Sequence, residues 1–354
     1  MKLFQCQCCG QVLHFENTVC LRCGRSLGYL PGADQMVAVA PDGALWAIAA
    51  PDAPDTPRWR FCKNWELSAC NWMVPETGPD YCEACRHNRT VPDLSDPGNH
   101  RRWQRIEMAK RRLIYTLCRL GLPRPTLGDG HPEPLIFDFL ADDPGSVQRV
   151  LTGHAGGVIT ISLTEADDAE REAMRTQLGE AYRTLLGHFR HEIGHYYWDL
   201  LVRDGGALDA FRAMFGDERA DYAAALDRHY RDGAPPGWEA THVSAYATMH
   251  PWEDWAETWA HYLHMVDTLE TAAALGIQID PGVDNHGQLS AEIDFNPWRA
   301  GDTQRLLAAW LPLTVALNAL NRSMGQPDLY PFALAAPVQQ KLAFVHDLVM
   351  AQQG

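Results

Sequence analysis

The pentapeptide His191-Glu192-Ile193-Gly194-His195 lies within residues 181–202, where apolar positions recur every three or four residues and predict one amphipathic helix. Residues four apart share a helix face, so the imidazoles of His191 and His195 can bind one metal ion. Glu192 follows the first histidine and lies beside that metal, where it can take a proton from water. Polar side chains on a largely buried helix need partners, and a metal ion provides one. The pentapeptide therefore predicts a catalytic zinc site.

A third metal ligand has to come from another segment, because Leu201 stands where the metzincin spacing requires a histidine six residues after His195. Pro251 suits the first turn of a helix, and Glu253 and Glu257 share one face of that helix. One carboxylate can bind the metal while the other accepts a hydrogen bond from the free N–H of a ligand histidine. The spacing leaves open which glutamate has which role.

Two segments near the start of the chain share the pattern C-x2-C-G: Cys6-Gln7-Cys8-Cys9-Gly10 and Cys20-Leu21-Arg22-Cys23-Gly24. Two thiolates three residues apart on a tight turn point at one centre, and the glycine lets the backbone turn its amides towards sulfur. The two turns predict a structural zinc site formed by Cys6, Cys9, Cys20 and Cys23. Cys8 is then not a ligand. A rubredoxin-like iron site and a redox dithiol are the alternatives, although no βαβ pattern surrounds these cysteines.

A second cysteine set predicts a second structural zinc site. It contains Cys62 and Cys70, which form no standard turn, and the C-x2-C pair of Cys82 and Cys85. The alternatives are two buried thiols beside a lone C-x2-C pair, or His87 in place of one cysteine. With the first set, these residues make residues 1–90 a small β-rich zinc-ribbon region, because so short a stretch cannot build a large apolar core.

A hairpin is predicted between the two cysteine sets. Residues 36–40 and 44–48 are apolar and flank the turn signal Pro41-Asp42-Gly43. The region lacks the interleaved basic and aromatic residues of a nucleic-acid binder, so we interpret it as a scaffold for the following domain. A protein partner that docks on the ribbon is the alternative.

Composition and charge exclude several classes of function. The formal net charge is −15, which disfavours nucleic-acid binding because that requires a basic surface. No stretch approaches the roughly 18–20 apolar residues of a membrane-spanning helix. The N-terminal residues contain no apolar core of a secretory signal, so we expect a cytoplasmic protein. Thiols stay reduced there, so the ten cysteines indicate metal sites and not disulfides.

The remaining chain predicts an α+β protein with two domains. A helix is expected over 100–120, ending at Gly121, and strands over 135–140 and 157–163. The second strand can pair with an extended peptide. Helices are expected from there to about residue 350. We therefore predict a zinc-ribbon region over 1–90 and a mainly helical, zincin-like domain over 91–354, with a polar linker at about 86–100.

The two catalytic segments together resemble the gluzincin-like site of the anthrax toxin lethal factor. There a tyrosine precedes the ligand glutamate by seven residues, and that glutamate opens an E-x-x-A-E run. The resemblance implies that Glu253 is the third zinc ligand, that Glu257 supports a histidine, and that Tyr246 donates to the developing oxyanion. A competing register makes Glu257 the ligand. Five histidines are alternative donors to Tyr246: His188, His242, His250, His261 and His264.

The chain as a whole resembles the bacterial family of zinc-binding metallopeptidases with an N-terminal zinc-ribbon domain. The resemblance rests on the paired C-x2-C-G segments, on residues 187–198 around the histidines, and on residues 321–332. It implies hydrolysis of peptide bonds in a peptide or protein substrate, one catalytic zinc and two structural zinc ions. The alternatives are a non-catalytic zinc-ribbon adaptor and an amidase that acts on a non-peptide substrate.

Overall fold

The computed structural model describes residues 1–49, 57–143, 145, 149–178, 183–284 and 286–353. The chain forms two compact units, each built from several stretches. The cysteine-rich unit contains Met1–Cys118, Arg124–Thr152 and Thr160–Asp167, and the helical unit contains Arg119–Pro123, Gly153–Ile159 and Asp168–Gly354. The β-rich beginning and the mostly helical remainder confirm the predicted α+β class. Within the described residues, no helix combines the length and apolar character that crossing a membrane requires.

Short antiparallel strands form the first part of the cysteine-rich unit. The strands β1 (Phe4–Gln5) and β2 (Val12–Leu13) pair with each other. A five-stranded sheet follows in chain order, with the strands β3 (Ser26–Leu30), β4 (Gln35–Asp42), β5 (Leu45–Ile48), β6 (Trp59–Phe61) and β7 (Met73–Pro75). Apolar side chains that include Leu30, Val37, Val39 and Met73 form its core.

The predicted hairpin is confirmed as β4 and β5. Asp42 pairs with Leu45 and Val39 with Ile48, so Gly43 and Ala44 form the connection. Gly43 has φ of +64°, a backbone conformation that glycine adopts without a steric penalty. Pro41 and Asp42, predicted in the turn, belong to β4, and the glycine at the first position of the two-residue connection suits this tight hairpin.

One long helix connects two parallel strands in the rest of this unit. The strand β8 (Asn88–Thr90) lies parallel to β9 (Ile136–Leu140), and the helix α1 (Pro97–Arg119) occupies the connection between them. The predicted helix is confirmed, although it begins at Pro97. The segment 86–100, predicted as a linker, contains β8 and the first residues of α1.

Two further strands complete a four-stranded sheet. The strands β10 (Gly153–Ala155) and β11 (Val158–Ser162) give the order β10-β11-β9-β8. The predicted strands at 135–140 and 157–163 are thus confirmed. However, β11 lies between β10 and β9, so both its edges are paired. The expectation that β11 pairs with a peptide is therefore wrong.

Helices form most of the helical unit. They are α2 (Asp168–Leu178), α3 (Leu185–Tyr197), α4 (Leu208–Phe215), α5 (Tyr222–Asp232), α6 (Pro251–Ala274), α7 (Thr303–Ser323) and α8 (Ala336–Met350). A short strand pair, β12 (Gln278–Ile279) and β13 (Ala291–Glu292), lies between α6 and α7. The helix predicted over 181–202 starts at Leu185, and residues 181–182 lie outside the described residues. After Tyr197 it continues as a π-helix, Trp198–Arg203.

The helices α3 and α6 approach each other closely at Gly194. A Cβ atom at this position would lie 3.1 Å from Cα of Ala256 and 3.2 Å from Cβ of Trp259. The indole Nε1 of Trp255 donates to the carbonyl oxygen of Gly194 at 2.8 Å. Glycine at the fourth position of the His191–His195 segment therefore allows α6 to bring Glu253 and Glu257 beside the two histidines.

Candidate metal centres

The donor atoms of His191, His195 and Glu253 form a compact group between α3 and α6. Nε2 of His191 lies 3.0 Å from Oε2 of Glu253 and 3.2 Å from Nε2 of His195. Nε2 of His195 lies 3.5 Å from Oε1 of Glu253. Ligands at about 2.0–2.1 Å from a tetrahedral zinc ion are separated by about 3.3–3.4 Å. The three side chains have the chemistry and the spacing of a shell for one zinc ion.

Glu257 lies behind His191 and contacts its other ring nitrogen. Nδ1 of His191 lies 2.7 Å from Oε1 of Glu257. The hydroxyl of Ser244 donates to Oε2 of the same carboxylate at 2.6 Å. A carboxylate can only accept in this pair, so Nδ1 carries a proton, and Nε2 is the ring nitrogen that faces Glu253 and could bind a metal ion. This contact fixes the orientation of the ring of His191.

His195 is held differently. Its Nδ1 is buried and has no hydrogen-bond partner among the side and main chains that the structure describes. The ring of Trp252 lies over it, with the ring centroids 3.9 Å apart and the planes inclined by 39°. On the Nδ1 side, packing against this indole therefore takes the place of a hydrogen bond in orienting His195.

Electrostatics keep the carboxylates of this group ionised. Burial alone would raise the pKa of Glu257, but the hydrogen bond and charge of His191 outweigh it and lower that pKa to about 2. Burial also opposes the charged form of His191, yet Glu253 and Glu257 raise the pKa of that imidazole above its usual value. Anionic oxygens beside imidazole nitrogen are the ligands that zinc prefers in catalytic sites.

Glu192 lies on the same helix with its side chain almost fully buried. Within the described part of the chain, no hydrogen bond to its carboxylate is present, so both oxygens can accept a proton or a hydrogen bond from water. A general base needs such an accessible lone pair next to the molecule that it deprotonates.

Two tyrosines lie beside the three-donor group, and only one of them was expected. The ring of Tyr246 lies 5.9 Å from that of His191, centroid to centroid. The phenol of Tyr222 donates to Oε1 of Glu253 at 3.0 Å. Burial and the charge of Glu253 raise the pKa of both phenols, so both stay protonated at neutral pH. Each can therefore donate a hydrogen bond.

Most of the histidines considered as alternatives to Tyr246 have partners elsewhere. His250 caps α6 by accepting from the amide of Trp252 at 3.2 Å, and its Nε2 donates to the carbonyl oxygen of Ala220. His261 contacts the hydroxyl of Tyr330 at 2.7 Å. His242 and His264 are bonded to Thr241 and Arg190. These four histidines therefore have hydrogen bonds with other residues, whereas the ring of Tyr246 contacts that of His191.

The first cysteine set forms a compact group of four sulfur atoms. Sγ of Cys6 lies 3.8 Å from Sγ of Cys23, and Sγ of Cys9 lies 3.6 Å from Sγ of Cys20. Four thiolates at about 2.3 Å from zinc are separated by about 3.8 Å. Cys8 lies outside this group, where its thiol donates to the carbonyl oxygen of Ala49.

The second set, Cys62, Cys70, Cys82 and Cys85, forms a similar group in which all four residues are buried. Sγ of Cys70 lies 3.7 Å from Sγ of Cys82. His87 is not a member of this group, and its Nδ1 lies 3.0 Å from the carbonyl oxygen of Leu135. A fully buried ammonium, that of Lys110, lies 2.9 Å from Glu107, whose carboxyl contacts Sγ of Cys85. Lys110 therefore offsets part of the negative charge that thiolates bring into this interior.

Sequence comparisons agree with both parts of the chain. The family described as "Putative zinc-binding metallo-peptidase" matches residues 99–348, and a zinc-ribbon domain matches residues 3–96. Uncharacterised proteins of Mycobacterium bovis and Mycobacterium tuberculosis are 42% identical over 351 residues, which cover 99% of this chain and 95% of each relative. No solved structure gives a significant match.

Proposed function

Because the chain belongs to the zinc-binding metallo-peptidase family, we propose that it hydrolyses peptide bonds with one zinc ion held by His191, His195 and Glu253. The observation that supports this most directly is the placement of Glu192 on the helix that carries both histidines, beside a three-donor group with the spacing of a tetrahedral shell. A purely structural zinc site has no use for such a base.

Each residue of the site has a task in the proposed reaction. Zinc, when bound, supplies Lewis acidity that lowers the pKa of water to about 7 and polarises a carbonyl group. Glu192 takes the proton of the attacking water and passes it to the leaving amine. Tyr246 donates a hydrogen bond to the oxyanion that develops on the substrate carbonyl. Glu257 orients His191, and Tyr222 fixes Glu253.

An extended substrate can pair with β10. This strand is at the edge of its sheet, so one side of its backbone is available to another strand. Its central residue, His154, has its ring 6.5 Å from the ring of His195. A peptide paired with β10 would therefore run past the three-donor group.

The two cysteine groups hold structural zinc ions in this proposal, which gives three zinc ions per chain. Each four-thiolate shell is closed and leaves no position for substrate. We interpret the zinc-ribbon region as a scaffold and the boundary near residue 90 as the start of the catalytic domain.

The substitution Glu192→Gln tests the assignment. The amide keeps the size of the side chain but cannot accept the proton, so peptide hydrolysis should fall about 10²–10⁴-fold while zinc per chain is unchanged. Glu239→Gln, at an exposed position of the helical unit, is the matched control and should retain full activity. Full activity of the Glu192→Gln variant would contradict the proposed role of Glu192 as general base.

Zinc stoichiometry tests the ligands independently of any substrate. Elemental analysis should find three zinc ions in the unmodified protein and two in a His191→Ala/His195→Ala double variant. Two zinc ions in both proteins, even after zinc is added, would mean that the helical unit holds none.

A further inference from the structure

The proposed reaction needs two groups at a fixed separation: the zinc ion and the phenol of Tyr246, which share one oxyanion. A misplacement of about 1 Å at such a site can cost about 10²-fold in rate. Tyr246 lies on a short turn before α6, whereas the proposed zinc ligand His191 lies on α3. A contact between other residues therefore has to hold the turn and the ligand relative to each other.

Ser244 makes this contact. Its hydroxyl donates to Oε2 of Glu257 at 2.6 Å, and Oε1 of the same carboxylate lies 2.7 Å from Nδ1 of His191. The same hydroxyl oxygen accepts from the backbone amide of Ala247 at 3.1 Å, in the turn that carries Tyr246. The side chain is buried, with Ser244 only 8% exposed. One hydroxyl group is thus bonded both to the carboxylate behind His191 and to the turn.

The two partners of this hydroxyl require a group that donates and accepts. The carboxylate of Glu257 can only accept, and the backbone amide of Ala247 can only donate. A hydroxyl has one hydrogen to donate and lone pairs that accept, so the proton of Ser244 lies towards Glu257 and a lone pair lies towards the amide. An alanine side chain would provide neither and would leave a buried amide without an acceptor. A small side chain with a hydroxyl therefore suits this position.

Contacts within the turn extend this connection to Tyr246. The hydroxyl of Thr248 donates to the carbonyl oxygen of Ala245 at 2.7 Å, so residues on both sides of Tyr246 are bonded to each other. The ring of Tyr246 lies 5.9 Å from that of His191, centroid to centroid. Hydrogen bonds therefore lead from Ser244 towards both of these neighbouring rings.

We propose that Ser244 is a positioning residue that holds the oxyanion donor Tyr246 at a fixed distance from the zinc ligand His191. This rests on the proposed peptidase function, because zinc and Tyr246 stabilise the oxyanion together in that reaction. Ser244 contacts neither substrate nor metal in this role. It acts through Glu257 on His191 and through the backbone on Tyr246, so its loss should affect zinc affinity and the chemical step together.

The substitution Ser244→Ala tests the first connection through the zinc affinity of the three-donor group, measured by competition with a chelator. Loss of a hydrogen bond that supports a metal ligand costs about 10–100-fold in affinity. Because the carboxylate of Glu257 itself remains, we expect the lower end of that range, about 10-fold. Thr248→Val is the matched control, since it also removes a hydroxyl from this turn, but one that bonds to Ala245. Its zinc affinity should be unchanged.

A double-variant cycle shows whether Ser244 acts through Glu257. In Glu257→Ala the carboxylate that the hydroxyl contacts is absent, so adding Ser244→Ala should cause no further loss of zinc affinity. A serine that only stabilises the fold would instead give losses that multiply. Ser244→Thr keeps a hydroxyl, so its zinc affinity and turnover should stay close to those of the unmodified protein.

Kinetics at saturating zinc test the second connection, from Ser244 to Tyr246. The substrate is an internally quenched fluorescent peptide that the unmodified protein cleaves. A donor displaced from the oxyanion weakens binding of the transition state and not of the substrate, so in Ser244→Ala kcat should fall about 10–100-fold with KM unchanged. In Tyr246→Phe, which has no phenol to position, adding Ser244→Ala should lower kcat by a smaller factor.

The proposal is overturned if Ser244→Ala binds zinc as tightly as the unmodified protein, or if its loss of affinity is the same with and without the carboxylate of Glu257. An equal fall of kcat with and without the phenol of Tyr246 would also overturn it. Failure of the proposed function gives a different result: no peptide is hydrolysed, and the role at the oxyanion falls with it, while the affinity cycle still shows the connection to His191. Hydrolysis with additive losses of affinity would leave the peptidase assignment intact and remove the role of Ser244.

Discussion

The imidazole of His191 is held from both sides, by Glu253 at Nε2 and by Glu257 at Nδ1. His195 has a contact to Glu253 at Nε2, whereas its Nδ1 has no hydrogen-bond partner among the described residues and the ring of Trp252 packs on the imidazole. The two histidines of one motif therefore differ in what fixes them. Substitutions of Glu257 should act on the site through His191, whereas substitutions of Trp252 should act through His195.

Tyr222 should strengthen metal binding although it is not a ligand. Its hydroxyl holds Oε1 of Glu253, and loss of such a supporting hydrogen bond typically costs about 10–100-fold in metal affinity or activity. Tyr222→Phe should thus weaken zinc binding at the three-donor group, measured by competition with a chelator. Tyr230→Phe, at an exposed position of the same helix, should not. Equal affinity in both variants would contradict this role for the hydroxyl.

His261 should make stability depend on pH. Burial lowers its pKa to about 4 in the folded state, against about 6.5 in the unfolded chain. The unfolded state therefore binds more protons between these values, so the free energy of unfolding should fall as pH drops from about 6.5 to 4, by up to about 3 kcal/mol. Denaturant unfolding at several pH values measures this. The dependence of the free energy of unfolding on pH should become weaker in His261→Asn and stay unchanged in His286→Asn, a substitution at an exposed position. An equal pH dependence in both variants would contradict the role of His261.

The residues that sequence alone can place in the site are those with a fixed local spacing. His191 and His195 are four residues apart on one helix with Glu192 directly after the first histidine, and Glu253 and Glu257 repeat the four-residue spacing on another helix. Tyr222 has no such signal, because it is 31 residues from Glu253 and opens a different helix after the capping residue Asp221. Only the tertiary fold brings it to Glu253. The roles of all these residues as ligands, base or support stay predictions.

At the scale of elements, the packing of α3 on α6 assembles the candidate site. The histidines His191 and His195 on α3 face Glu253 and Glu257 on α6. Two buried tryptophans of α6 hold the helices together: Trp255 donates to the carbonyl oxygen of Gly194, and Trp259 stacks on Tyr197. The spacing of the two axes at this point is set by the absence of a side chain at Gly194. The geometry of the three-donor group thus depends on a residue that is not itself a donor.

Gly194→Ala should damage the site despite the higher helix propensity of alanine. The new Cβ would lie 3.1 Å from the backbone of Ala256, so the two helices have to separate. Overpacking of this kind costs about 1–3 kcal/mol, which exceeds the roughly 1 kcal/mol that alanine contributes in a helix. Chemical denaturation should show a net loss of stability, together with weaker zinc binding. A more stable variant with unchanged zinc affinity would contradict the close contact of α3 and α6 at Gly194.

Elements with strong local signals were predictable, and their ends were less so. The hairpin at Gly43 and the helix α6, which begins at Pro251, are confirmed. Turn and capping residues mark both in the sequence. The extent of α3 differs because Thr184 caps it by accepting from the amide of Gly187, and because a π-helical turn continues it to Arg203. The 3.6-residue periodicity of the apolar positions predicts neither the capping residue at the start of a helix nor a change from α-helix to π-helix at its end.

At the scale of the molecule, the cysteine-rich unit contains two four-sulfur groups and an apolar cluster in its five-stranded sheet. We expect metal in these groups to contribute to the stability of the short strands around them. The cysteine spacing predicted which residues would group together. It did not predict that α1 and β9 join the same unit, because these contacts are far apart in sequence.

Cys82→Ser should remove one zinc ion and destabilise the protein. Cys82 is buried within the second four-sulfur group, and binding of structural zinc contributes directly to the folding free energy. Cys8→Ser is the matched control, because Cys8 lies outside both groups. Elemental analysis and thermal unfolding of both variants check this. A Cys82→Ser protein with unchanged zinc content and unfolding temperature would show that the second group holds no metal.

The parallel pairing of β8 with β9 has a consequence during synthesis on the ribosome. β8 ends at Thr90, whereas its partner begins at Ile136, after the whole of α1. At about 5–20 residues per second, the ribosome would need roughly 2–10 s to synthesise the chain from Thr90 to Ile136. Both cysteine groups are fully translated by Cys85, so metal loading can precede the pairing. Zinc bound by the nascent chain would then stabilise the strands β1–β7 before β8 can pair with β9.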